Sequence, residues 1–301
     1  MNGRRTLVVL LPVALCLALS GAVSALDWPV AQPVVTGTFG EYRGDHFQNG
    51  TDIGGGAQPV HPVLPGELVF RYDEGSDYSS VPRGTGSFVA IQHAQDLLTV
   101  YNHLSKGSLG AETDSVMPQD TIGTIGDTGD ATGSHLHLAF YDEQIASFVN
   151  PLAILPPVAD HQKPVIRRVL LSIGDTLVPT PTQSAVGVDP QPAIAAGRYQ
   201  ILAQLYDPRQ DVAYNWPMAP YSVRVSLDGK EIRAIVFDSL RVKDGRAVLG
   251  ATDLDLDAVY RPDGLMELGT ADLRSGESRL DIDVRDYAGN EAAFETQITI
   301  R

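Results

Sequence analysis

Short runs of alternating apolar and polar residues, separated by turns rich in glycine and proline, recur from about residue 27 to the end of this 301-residue chain. Runs such as "GELVFRY", "GSFVAIQHA" and "YSVRVSLDG" have the two-residue period of β-strands that bury one face. In the first half of the chain no amphipathic helical stretch competes with them. The pattern therefore predicts an all-β protein.

A proline-rich segment divides these strands into two groups. "AILPPVADHQKP", residues 153–164, shows little periodicity and is typical of a linker. We therefore predict a first domain over residues 26–157 and a second domain over residues 158–301. The later strands, with the turn signals "LDG" and "YAGN", favour an antiparallel β-sandwich of immunoglobulin or fibronectin type. Such a sandwich is expected to fold on its own as a fragment of residues 160–301.

The first 25 residues have the pattern of a cleaved export signal. Arg4 and Arg5 precede an apolar run over residues 7–19, and the small Ala25 fits a cleavage site. We predict a secreted or periplasmic protein; a retained membrane anchor is the alternative, which the shortness of the apolar run disfavours. The single cysteine, Cys16, lies inside this segment, so the exported protein has no disulfide.

The charge balance limits the classes of partner. Lys and Arg total 22 against 37 Asp and Glu, which gives a formal net charge of −15. A surface this acidic repels phosphate backbones and anionic lipid headgroups. We therefore predict no nucleic-acid partner and, after signal cleavage, no membrane span.

Histidines are concentrated in the first half of the chain, where six of the seven lie before the linker. The sharpest local pattern is "TGSHLHLAFY", residues 132–141. Alternate residues of a strand share a face, so His135 and His137 are expected to point the same way, with Leu136 in the opposite core. Two imidazoles on one face can supply a metal ligand and a proton-transfer group.

Several sequence blocks, in order, resemble the LytM and lysostaphin type of zinc metalloendopeptidase, whose members cut peptide cross-links in bacterial cell wall. The blocks are "FQNGTDIGG", "PVHPVLPGELVF", "GSFVAIQHAQDLLTVYNHLS", "DTIGTIGDTGDATGSHLHLAFY" and "VNPLAIL", within about residues 28–155. The resemblance implies an open antiparallel β-sheet that lines a groove. It also implies a bound Zn²⁺ and peptidoglycan as the substrate.

The resemblance assigns roles to individual residues. The family's His-x-Gly-x-Asp motif supplies two zinc ligands and the second His of His-x-His the third, which implies Asp52 and His137 as ligands. The Tyr-x-His-Leu block and the first His of His-x-His supply catalytic imidazoles, which correspond to His103 and His135. Gln48 stands at the first ligand position, where the family has histidine.

Gln48 is expected to weaken the zinc site, because an amide oxygen is a poorer zinc donor than imidazole. His46, two residues earlier, is an alternative ligand if a local bulge turns it toward Asp52. We predict weak or absent zinc and a catalytically impaired protein that binds wall peptide or an envelope partner such as a wall hydrolase. The alternative is an active zinc endopeptidase, which the presence of both catalytic imidazoles, His103 and His135, favours.

Overall fold

Strands dominate the computed structural model of this chain. The one α-helix among the described residues, α1 (Leu256–Val259), is a single turn, and the prediction of an all-β protein is confirmed. The predicted export signal lies outside the described residues, and within them no helix is long and apolar enough to cross a bilayer. The structure describes residues 26–74, 83–110, 113–180, 194–209, 212 and 218–301.

The first half of the chain contributes an open antiparallel sheet. Its strands run in the order β10-β9-β6-β5-β4-β7, and β2 pairs with β9 and with β1. Along β9, Leu136, Leu138 and Phe140 are fully buried in the core beneath the sheet, which leaves His137 on the opposite face. The strands are β1 (Val34–Gly37), β2 (Thr51–Gly54), β3 (Pro59–Val60), β4 (Gly66–Tyr72), β5 (Ser87–His93), β6 (Leu97–Leu104), β7 (Ser115–Val116), β8 (Gly123–Thr124), β9 (Leu136–Asp142) and β10 (Ser147–Val149).

The second half forms a β-sandwich of two four-stranded antiparallel sheets, in the orders β12-β11-β13-β18 and β15-β14-β19-β20. Ile201 from the first sheet and Ile282 from the second are fully buried in one shared core, as the alternating pattern predicts. The strands are β11 (Val165–Ile173), β12 (Thr176–Pro179), β13 (Gly197–Tyr206), β14 (Ser222–Leu227), β15 (Lys230–Val236), β16 (Ser239–Lys243), β17 (Arg246–Leu249), β18 (Met266–Leu273), β19 (Gly276–Arg285) and β20 (Glu291–Ile300).

The hairpin of β16 and β17 joins the two halves of the chain. β16 pairs with β10, with Leu240 opposite Phe148, so the sheet of the first half is extended by strands of the second half. Phe39 and Phe47 of the first half belong to the apolar core of the sandwich. Segments on the two sides of the predicted boundary near residue 158 therefore share a sheet and a core in the folded protein.

Two buried hydrogen bonds connect the first half of the chain to the second half at this junction. The Asn150 side chain donates to the Phe237 carbonyl at 2.7 Å, and the Tyr260 hydroxyl donates to the Gly40 carbonyl at 3.1 Å. Each such bond contributes about 1 kcal/mol net, and breaking one leaves a buried group unsatisfied. The chain that follows β1 is thereby held against the sandwich.

Candidate functional site

A hairpin over residues 40–48 carries Gln48 to the start of β2. The Gly40 N–H donates to the Gln48 carbonyl at 2.8 Å, and the Gln48 N–H donates to the Glu41 carbonyl at 2.9 Å. Gly44, with φ of +90°, makes the turn at its tip, where an L side chain would be strained. The hairpin sets Gln48 at the base of its second arm.

His46 lies near the tip of this hairpin and faces solvent. Its Nδ1 is 2.6 Å from Asp45 Oδ1, and its side chain is 63% exposed. Gln48, in contrast, is buried. Residues 46 and 48 therefore do not project together from one extended strand, and the structure does not bring His46 to Asp52.

Gln48, Asp52 and His137 meet in one buried cluster. Pairing of β2 with β9 places Asp52 directly opposite His137, and Asp52 Oδ1 is 2.9 Å from His137 Nδ1. Gln48 Nε2 lies 2.6 Å from Asp52 Oδ1 and 3.2 Å from His137 Nδ1. The three positions that the resemblance assigns to metal ligands are thus brought together.

Arg43 pairs with the other oxygen of the Asp52 carboxylate. Arg43 Nη2 is 2.7 Å from Asp52 Oδ2 and 3.0 Å from Glu41 Oε2, and both carboxylates are buried. Burial would raise the pKa of Asp52, but the hydrogen bond to His137 and the charges of His137, Arg43 and His135 hold this pKa far below its usual range. Asp52 is therefore a buried anion with protein donors at both oxygens.

Sequence reasoning missed Arg43 and Glu41. The sequence does contain an arginine in "GEYRGD", just before the altered ligand position. Its local pattern, however, does not indicate that the hairpin folds Arg43 back onto Asp52. The antiparallel bridge between Tyr42 and Phe47 closes that loop.

This set of donors fits zinc poorly. Tetrahedral Zn²⁺ with ligands at about 2.0–2.1 Å keeps its ligand atoms roughly 3.3 Å apart. The 2.6 Å between Gln48 Nε2 and Asp52 Oδ1 is a hydrogen-bond distance. Turning the Gln48 amide over would place its oxygen against a carboxylate oxygen, a repulsive contact. The guanidinium of Arg43 already places a positive charge beside Asp52.

His103 and His135 lie beside this cluster and are half-buried. Their ring centroids are 4.8 Å apart, and the ring of His103 is 6.2 Å from that of His137. Nδ1 of His103 donates to the Thr128 carbonyl at 2.9 Å and Nδ1 of His135 to the Gly133 carbonyl at 2.8 Å, because a carbonyl oxygen only accepts. Burial lowers the pKa of His103, so its imidazole is neutral near pH 7. The imidazole pair that the resemblance implies is therefore assembled.

Gly50 allows the chain before β2 to approach β9 closely. A Cβ at this position would lie 2.3 Å from the Leu138 carbonyl oxygen and 2.9 Å from His137 Nε2. Since that carbonyl belongs to a paired strand and cannot turn aside, we expect Gly50→Ala to lower the free energy of unfolding by about 1–3 kcal/mol, measured by urea denaturation. Gly133→Ala is the control, because its Cβ would meet nothing within 4 Å. Equal losses in the two variants would contradict the steric argument.

Comparison with known proteins identifies the family of this site. Residues 46–151 match the family model described as "Peptidase family M23". A second family model, which carries no functional description, matches residues 163–301.

Curated relatives match parts of the chain. An "Uncharacterized metalloprotease" of Haemophilus influenzae is 40% identical over 74 residues, which is 25% of this chain and 15% of the relative. The "DD-carboxypeptidase/endopeptidase Mpg" of Neisseria meningitidis serogroup B is 32% identical over 34% of this chain and 21% of the relative. The "Murein hydrolase activator NlpD" of Escherichia coli is 30% identical over 46% of this chain and 33% of the relative. The chain thus spans a third or less of the length of these relatives.

Among solved structures, a chain of the "SpoIIQ-SpoIIIAH pore forming complex" superposes with a TM-score of 0.38 at 22% identity, over 46% of this chain and 95% of that one.

The ordered sequence blocks, the clustered Gln48, Asp52 and His137, and the matched relatives lead to one assignment. Over residues 46–151, the chain carries a domain of peptidase family M23.

Proposed function

We propose that this M23-family domain, exported to the cell envelope, binds peptidoglycan peptide or an envelope protein such as a wall hydrolase without cleaving peptide bonds. The observation that carries the proposal is the environment of Asp52. Its carboxylate is neutralised by Arg43 at 2.7 Å and bonded by the Gln48 amide at 2.6 Å.

A fixed guanidinium cannot replace zinc in catalysis. Zinc polarises a carbonyl and lowers the pKa of a bound water, and both effects need a metal with an open coordination position. Arg43 supplies one positive charge and hydrogen bonds, which stabilise the buried Asp52 but offer no such position. The cluster is therefore suited to holding the site together rather than to activating water.

The two half-buried imidazoles supply the binding groups. Nδ1 of both His103 and His135 is engaged by a backbone carbonyl, and Nε2 of His135 lies 3.8 Å from Asp52 Oδ1. Nε2 of the neutral His103 ring remains to accept a hydrogen bond from a peptide N–H. Asn49, whose Oδ1 is 3.1 Å from His137 Nε2, adds an amide at the same place. A wall peptide, rich in amides, is complementary to this surface.

Two relatives support the choice of envelope partners. The Escherichia coli relative is a murein hydrolase activator by its description, and the neisserial relative is a DD-carboxypeptidase/endopeptidase. The description as an activator supports a role in which the domain binds another envelope protein without cleaving peptide bonds itself.

The second candidate is an active zinc endopeptidase. It is favoured by the assembled pair of His103 and His135, 4.8 Å apart, which a catalytic site of this family requires. In this case zinc would have to replace the hydrogen bonds that Gln48 and His137 make at Asp52 Oδ1.

Zinc titration and peptidoglycan assays on the same samples separate the two candidates. We expect wild type to lose zinc on desalting, to leave purified peptidoglycan intact and to co-sediment with it. Gln48→His, which restores an imidazole donor, should raise zinc affinity by about tenfold or more.

His46→Ala is the control for the alternative ligand and should change neither zinc nor peptidoglycan binding, because His46 faces solvent. Tight zinc binding with hydrolysis by the wild type would overturn the proposal. Loss of zinc in His46→Ala would identify His46 as the substitute ligand.

A further inference from the structure

Three buried aspartates meet in a part of the chain outside the M23 match. Asp160 lies in the linker, Asp207 follows β13 and Asp286 follows β19. One carboxylate oxygen from each lies within 4.8 Å of the other two. Their exposed fractions are 6%, 1% and 1%, so all three are removed from bulk water.

The cluster has more negative than positive charge. Among the described residues, the guanidinium that pairs with it is that of Arg209, whose Nη1 is 3.2 Å from Asp160 Oδ2. Three carboxylates against one guanidinium leave two negative charges when all are ionised. Buried charge without compensation is costly, which is why such groups are paired, protonated or bound to a metal.

Asp207 has a buried carboxylate oxygen that no described residue satisfies. Its Oδ1 is buried and accepts no hydrogen bond from any described residue. Asp286, by comparison, accepts 2.7 Å hydrogen bonds from the backbone N–H and the side-chain amide of Asn290. Burial and the charges of Asp286 and Asp160 raise the pKa of Asp207 to about 8. Asp207 thus combines an unsatisfied buried oxygen with a carboxylate close to those of Asp160 and Asp286, and it is available to a cation.

We propose that Asp160, Asp207 and Asp286 bind one Ca²⁺ ion. Oxygen-only donors select hard cations over zinc or copper. The excess charge of the cluster equals the charge of one divalent ion. Mg²⁺ gives up its water reluctantly and usually keeps several, whereas Ca²⁺ accepts irregular sets of protein oxygens. A site this deeply buried therefore favours Ca²⁺.

The ion would tie the linker to the sandwich. Asn290, next to Asp286 in space, also donates to the Asp160 carbonyl at 3.2 Å. Tyr287, next to Asp286 in sequence, donates its hydroxyl to the Phe39 carbonyl at 3.2 Å. Calcium at the cluster would thus stabilise the junction from which the 40–48 hairpin extends.

Calcium titration of the full-length, EGTA-treated protein tests this site, with zinc absent throughout. We expect calorimetry to give one Ca²⁺ per chain, and saturating Ca²⁺ to raise the melting temperature by about 5 °C or more. Asp207→Asn keeps the shape of the side chain but removes a charged ligand, so its affinity should fall about tenfold or more.

Asp253→Asn is the matched control, because Asp253 is an exposed aspartate paired with Lys243, and it should bind Ca²⁺ as wild type does. If Asp207→Asn does not fold, the wild-type titration alone decides. If wild type gives no heat of Ca²⁺ binding and no change in melting temperature, the proposal is overturned. That result would indicate that a proton on Asp207 neutralises the cluster. Equal affinity for Mg²⁺, or unchanged Ca²⁺ binding by a folded Asp207→Asn, would also overturn it.

Discussion

Replacing Arg43 by alanine is expected to lower the free energy of unfolding by about 3–5 kcal/mol, the range for removing one partner of a buried ion pair. The substitution leaves the negative charges of Asp52 and Glu41, 5% and 2% exposed, without their shared guanidinium. Urea denaturation of wild type and variant at neutral pH measures the difference. This loss is the largest that we expect from a single change at the site.

Arg224→Ala is the matched control. Arg224 also pairs with a carboxylate, Glu231 at 3.1 Å, but the two side chains are 66% and 53% exposed. Such surface pairs contribute about 0–1 kcal/mol. If Arg43→Ala lost no more than this control, Arg43 would not be the neutralising partner of Asp52. Added Zn²⁺ should restore part of the stability of Arg43→Ala and none in wild type, because only the variant leaves Asp52 Oδ2 without a cation.

Phe237→Ala is expected to destabilise the protein by about 3–5 kcal/mol, the usual range for truncating a fully buried phenylalanine. Phe237 is 0% exposed, stacks on Tyr260, and lies so close to Gly40 that a Cβ there would come within 2.1 Å of the ring. The cavity would open where the two halves of the chain share one core. Thermal unfolding followed by circular dichroism should show one transition at a lower temperature.

Phe70→Ala makes the same chemical change at a position that is 45% exposed, and its effect should be much smaller. The number of transitions carries separate information. Two transitions, of which Phe237→Ala shifts one, would show that the halves unfold separately and would favour independent folding of residues 160–301. One shifted transition would show that the shared core makes them a single unit.

Local pattern was sufficient to predict part of the site. The period of a strand placed His135 and His137 on one face, and the resemblance identified Gln48 as the altered ligand position. Arg43 could not be predicted in the same way, because its contact with Asp52 depends on how the 40–48 hairpin closes. Aspartates 160, 207 and 286 were not singled out either, since each belongs to a different segment and only the tertiary fold brings them together.

The pairing of β16 with β10 also lay beyond sequence reasoning. The residues of neither strand indicate which sheet edge it joins, because the packed core decides partner and register between segments about 90 residues apart. Residues 156–164 form no strand, in keeping with the break in periodicity. It did not show that strands on its two sides form one sheet.

That pairing determines how the sheet of the M23 domain can meet another chain. An unpaired edge strand offers a row of free backbone donors and acceptors onto which a partner can add a strand. At one end of the sheet, β16 and β17 already cover β10. At the other end, within the described residues, β4 pairs with β7 through Gly66 and Glu67, and the side chains of its later residues Val69 and Phe70 are exposed. The later residues of β4 therefore offer one such edge to a partner that adds a strand.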